Sequence, residues 1–186
     1  MKKVLLILRS ALIFCVAVVV LSCDKVDDVT FVVSLPYTFH VNQVAAGDDV
    51  VYQTHDLLDA ASADSEFNKY KGSIKAVSVS NVTYTIQNCT TTGVILTGGT
   101  LAYSPIVTTD PDPTIAVVDL GIENVKAAEN QEKNLHFNQV ALNDMSNLLK
   151  VDKQLNLYLS GTLSTTPAKF DVLVKINATV TANTIQ

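Results

Sequence analysis

The stretch LNLYLSGTLSTTPAKFDVLVKINATV, residues 155–180, decides the fold. Leu155, Leu157, Leu159 and Leu163 alternate with mostly polar residues, and Phe170, Val172, Val174, Ile176, Ala178 and Val180 alternate again after Thr165-Thr166-Pro167-Ala168. A period of two is the mark of a strand with one face against a core. The two runs read as a hairpin turned at residues 165–168, long enough to supply the core of one sheet. Residues Val29 to Val41 repeat the pattern, with Val, Phe, Val, Leu, Tyr, Phe and Val on the odd positions. Pro36 falls on the polar phase of that strand and has no N–H for a ladder, which predicts an edge strand or a break there.

Working outward, Ser73 to Gln87 is strand-like but changes phase, as a strand with β-bulges does. Val94, Leu96, Leu101 and Tyr103 flank Gly98-Gly99, which predicts a second hairpin. Pro105 and Asp110-Pro111-Asp112-Pro113 form a stiff loop. Ile115 to Ile122 and Leu135 to Phe137 suggest further short strands. Ala45 to Gly72 shows no sustained period and reads as a long connection, with at most a helical turn near His55 to Ala61. One helix is predicted near residues 139–150, where Ala141, Met145, Leu148 and Leu149 share a face, Asn138 can cap the start, and Lys150 and Lys153 lie near the end. Several strands and one isolated helix predict an all-β fold, a mostly antiparallel two-layer sandwich with Greek-key-like links.

The N-terminus carries a different signal. Lys2, Lys3 and Arg9 precede an apolar run from about Ala11 to Leu21, which ends at Ser22-Cys23. That is the layout of a secretory signal. The run is short for a bilayer span, although a transmembrane reading that starts at Val4 comes close. Leu21-Ser22-Cys23 resembles the lipobox of bacterial lipoproteins. The resemblance implies cleavage before Cys23, acylation of its thiol and new amino group, and anchoring in the cell envelope. It divides the chain into a signal peptide over 1–22, a lipidated cysteine with an acidic tether over 23–28, and one domain over 29–186. Asp27 and Asp28 resemble the surface-export signal of Bacteroidota lipoproteins, whereas Asp24 next to the cysteine resembles the enterobacterial retention signal. The former points to the outer membrane, with the choice between its surface and periplasmic faces open.

Charge and composition exclude several functions. Without Lys2, Lys3 and Arg9, the 13 basic residues of the 186-residue chain fall to 10 against 18 acidic ones, a mature net charge of about −8 with no arginine. Nucleic acid is not an expected partner, because its phosphates are bound by clustered Lys and Arg. Cys89 is alone in the mature body, so no internal disulfide is expected once Cys23 is acylated, and nothing near it in sequence would activate its thiol. His40, His55 and His136 lie outside any zinc motif, and no metal or other cofactor is expected. There is no G-x-S-x-G elbow and no phosphate-binding glycine loop. Asp110 and Asp112 are the candidate binding pair, able to offer two carboxylates plus loop carbonyls to a hard cation, against an ordinary solvated loop.

The expected function is a non-catalytic interaction or structural module, anchored to the membrane by lipid and binding a protein partner in the envelope. The alternative is a binding module for a small apolar ligand or glycan, with a hydrolase a distant third. A carrier should enclose an apolar pocket with a few convergent polar groups. An interaction module should have a filled core and exposed apolar side chains.

Overall fold

A computed structural model of the chain describes residues 27–105 and 116–184. The expected signal peptide over 1–22, Cys23 and the Asp110–Asp112 loop lie outside the described residues. Within them are six strands: β1 (Asp28–Asp59), β2 (Ile74–Gln87), β3 (Ile95–Ser104), β4 (Val117–Asn124), β5 (Glu132–Leu135) and β6 (Gln154–Asn183). Three helices are interspersed: α1 (Ala60–Ala63), α2 (Ser65–Tyr70) and α3 (Gln139–Val151). None of the described helices is long and apolar enough to cross a membrane. The fold is all-β and mostly antiparallel, as the alternation predicts.

The stretch read as a hairpin is one strand. β6 pairs antiparallel with β1 from Gln154↔Asp59 to Asn183↔Asp28, straight through Thr165–Ala168. Its buried leucines fall on odd numbers from Leu155 to Leu163, with Asn156 and Tyr158 also buried between them, and its buried apolar side chains fall on even numbers from Ala168 to Ala182. That change of phase imitates two strands separated by a turn. It is absorbed instead by β1, which places three residues between Gln43 and Gly47 where β6 places one between Thr166 and Ala168. The buried Thr166 hydroxyl donates to the carbonyls of Ala45 and Gly47 and fills the ladder gap.

The same register corrects the long connection expected over 45–72. Residues up to Asp59 belong to β1, because their partners on β6 fix them as strand whatever their own periodicity. Only the remainder forms α1 and α2, capped by the carboxylates of Asp59 and Asp64. The predicted helix is present as α3, with the Asn138 side chain accepting from Ala141 N–H at 2.9 Å and Met145 and Leu149 buried.

β6 is the axis of the sheet. β1 follows one side for its whole length, and the other side is shared by β2 against Asp171–Ala182 and β3 against Asn156–Leu163. The sheet therefore forks, with β5 outside β2 and β4 outside β3. The prongs meet again where Tyr84 O–H on β2 donates to Leu120 O at 3.2 Å and to Glu123 Oε1 at 2.8 Å on β4. Lys133 on β5 ion-pairs with the same Glu123 oxygen at 2.5 Å.

β1 pairs with β6 alone among the named strands, so the Pro36 strand is an edge strand as predicted. A straight strand of its 32 residues would run about 105 Å. It bends back on itself instead, and the Tyr37 hydroxyl on one arm donates to Asp56 on the other. The resulting barrel-like sheet encloses one continuous core containing Phe39, Phe67, Phe170, Leu155, Leu157 and Leu159. Full burial of each contributes about 1.5–3 kcal/mol.

The predicted bulges in β2 occur between Ile74 and Ala76 and between Val79 and Asn81. The Gly98-Gly99 hairpin does not form: β3 runs through both glycines with a single extra residue opposite β6. Two glycines are needed there for close approach. A Cβ on Gly161 of β6 would lie 2.6 Å from Leu96 Cδ1 and 3.2 Å from Gly99 Cα.

Candidate functional site

The bulge at Ser80 opens a cleft. Where the ladder slips, Val79 N–H donates to Ser146 Oγ of α3 at 2.9 Å, which pins the helix over β2. Ser80, Asn81, Asn134, Leu135, His136, Phe137 and Leu142 line the space left between β2, β5 and α3, a cleft of about 420 Å³ open to solvent. Asn81 Nδ2 donates to Asn134 Oδ1 at 3.4 Å across its floor. Phe137 packs edge-on against Tyr103 with centroids 6.1 Å apart, and the Tyr103 hydroxyl donates to Ala141 O at 3.1 Å, so the aromatic wall is braced from behind.

Amides, one imidazole, one hydroxyl and apolar carbon line this cleft, with no carboxylate and no ammonium. Such a lining can hydrogen-bond a neutral polar ligand and offers no general-acid pair and no ion site. The Ser80 hydroxyl donates to Asn177 O at 3.1 Å and to Asn81 Oδ1 at 3.3 Å and is not hydrogen-bonded to the His136 imidazole, the pairing that would activate it as a nucleophile.

A second polar group gathers nearer the bend of β1 and β6. His40 Nδ1 lies 2.7 Å from Asp171 Oδ1, and Asn88 Nδ2 donates to the other carboxylate oxygen at 2.6 Å. Burial alone pushes the Asp171 carboxyl up, but the bonds from Asn88 and His40 outweigh it and hold the group below its ordinary range. The imidazole side chain is 75 % exposed, matching its place on the polar phase of the strand. Cys89 is close in sequence yet turned away, with Sγ toward Val125 O at 3.5 Å. Burial, with Glu129 adding to it, raises its thiol to about 11. A buried thiol of that kind is not a nucleophile at neutral pH.

Elsewhere the charged side chains cross-brace strands. Glu132 accepts from Lys175 at 3.0 Å and from Thr83 at 3.1 Å, and these two bonds hold its carboxyl below the ordinary range. Among the described residues, no group of three or more His, Cys, Asp or Glu side chains converges as metal ligands would. Neither the Asn81–His136 cleft nor the Asn88–Asp171–His40 cluster is legible in the sequence, since each joins residues from separate strands. The phase slip of β2 near Ser80 was the one local signal.

No known family profile and no curated protein matches the chain. Among solved structures it is similar to a chain titled Desmodium yellow mottle tymovirus, at 13% identity over 87% of both chains, with a TM-score of 0.39. A likeness that weak carries no argument about function.

Proposed function

We propose that the chain is a lipid-anchored lipoprotein of a bacterial outer membrane and works as a non-catalytic interaction or structural module with a protein partner. Cys23 is the lipidation site in this reading, residues 1–22 are removed, and residues 29–186 form one domain. The carrying observation is the cysteine itself, placed at the end of the apolar run. The interval to the fold agrees, because β1 begins at Asp28 with only a short tether left over.

The interaction reading draws on the packing. The core is filled by side chains, and the large apolar residues left outside include Val32, Val44 and Val51 of β1, each more than three-quarters exposed. The two arms of β1, bridged by Tyr37 and Asp56, support treating the bent sheet as the two layers of a sandwich. The neutral lining of the Asn81–His136 cleft favours one second reading, a weak glycan-binding module.

Cys23→Ala tests the assignment. The variant is expected to keep its first 22 residues and to lack acyl chains by intact-mass measurement of protein extracted from the native membrane. Normal processing and normal lipid mass in that variant would remove the basis of the reading. A stoichiometric protein co-purifying with the wild type supports the interaction role, and its absence together with a titratable glycan shift at Asn81 and Asn134 supports the second.

A further inference from the structure

The lipid anchor and the start of the fold together orient the molecule. Four Cα-to-Cα steps separate Cys23 from Asp27, a span of at most about 14 Å. Asp27 is already tied into the fold, its carbonyl accepting from Thr184 N–H at 3.1 Å and from Thr184 Oγ1 at 2.8 Å. Whatever surrounds Asp27 is therefore held within about 14 Å of the anchored cysteine.

That surrounding is one well-tied tip. Ser73 N–H donates to Tyr70 O at 2.8 Å, Asn183 N–H to Ser73 O at 3.0 Å, and Lys75 ion-pairs with Asp28 at 2.6 Å. The Tyr70 ring packs on Phe31 with centroids 5.3 Å apart, and Lys69 Nζ stands 4.7 Å from the centre of the same ring. Lys71 and Gly72 are exposed at the turn that joins α2 to β2. Lys69, Lys71 and Lys75 are three of the mature chain's ten lysines, and with Tyr70 they lie within seven residues of one another. Long lysine stems and a half-buried tyrosine suit a lipid–water interface, where the carbon lies against headgroups and the polar end stays wet.

We propose that this tip, formed by Asp27–Asp28, the Tyr70–Lys75 turn and Asn183–Thr184, is the surface that rests on the phospholipid bilayer. The proposal rests on the lipidation of Cys23. It has a geometric consequence for the rest of the chain. β1 climbs away from the tip at about 3.3 Å per residue, so His40 stands about 40 Å and the Gln43–Gly47 bulge about 50 Å along the strand from Asp28. The bend, with the Asn88–Asp171–His40 cluster below it, is the membrane-distal end that a partner in the aqueous phase meets first.

The test uses the native lipidated protein with a fluorophore on Lys71→Cys or on Asp48→Cys, Cys89 being buried and unreactive at neutral pH. Each labelled protein is reconstituted into phosphatidylethanolamine/phosphatidylglycerol vesicles that contain a headgroup-nitroxide lipid, and vesicle flotation is scored alongside quenching. Strong quenching at position 71 with none above the lipid-free background at position 48 is the expected result. Equal or reversed quenching in protein that floats overturns the orientation while leaving the anchor intact. Protein that fails to float and lacks acyl mass overturns the anchor and the orientation with it.

Discussion

Gly161 shows how a single residue can hold two strands at a fixed distance. It needs no unusual backbone angle. It is glycine because β3 passes directly over it, and an added methyl would meet Leu96 Cδ1 at 2.6 Å and the Gly99 backbone at 3.2 Å. Leu96 can shift, but the Gly99 backbone gives only by moving β3, so Gly161→Ala is expected to destabilise by about 1–3 kcal/mol of overpacking. A urea midpoint unchanged from wild type would show that the approach is not tight. Cys89 supports a prediction of the same scale. Its thiol is held neutral up to about pH 11 by burial, against an ordinary value of 9.0. A raised value in the folded state means that this group stabilises fully below the ordinary value and loses its contribution as pH climbs through about 11. A disulfide reagent at pH 8 is expected to label Cys89 slowly in folded protein and at once in denaturant, and fast labelling of the folded form would contradict the burial.

At the scale of elements, the contact between α3 and β2 turns on Ser146. Its hydroxyl accepts from Val79 N–H at the bulge and donates to Leu142 O at 2.6 Å within the helix. Ser146→Ala leaves the Val79 donor buried and unpaired, at about 1–3 kcal/mol. By comparison Asn138→Ala removes only an exposed cap and is expected to cost about 1 kcal/mol. Thermal melts of the two variants rank them, and an Asn138 effect at or above the Ser146 effect would place the pinning elsewhere. Reading these elements from sequence succeeded where one face repeats over several turns or pairs. α3 was legible from Ala141, Met145, Leu148 and Leu149 with its cap, and the bulges of β2 from the phase slip. The Gly98-Gly99 turn was misread because a glycine pair for close approach looks the same in one dimension as a glycine pair for a hairpin.

Across the whole molecule, every other strand except β4 and β5 pairs directly with β6, and those two are bridged through Glu123. Loss of β6 pairing leaves no sub-sheet with its own core, so urea unfolding is expected to be a single transition by circular dichroism and by tyrosine fluorescence. Two separated transitions would mean that the β2–β5 and β3–β4 prongs are independent units. Pairing between strands some 130 residues apart also predicts slow folding, since distant ends must be closed before contacts form.

The residues alone determined which faces are buried, because burial of alternate side chains is a local property of a strand and survives any rearrangement of partners. Val29–Val41 and Leu155–Val180 carry that information, as do Pro36 for an edge and Asn138 for a cap. The address proposed at Cys23 is likewise a matter of linear sequence, which is where a processing enzyme would read it. Connectivity was decided in three dimensions. Residues 154–183 are one strand and not a hairpin because β1 supplies extra residues opposite Thr166. Residues 45–59 are strand because β6 is there to pair with them. The cleft at Asn81 and the cluster at Asp171 exist for the same reason: register places distant polar residues side by side, and no periodicity in one segment encodes the register of another.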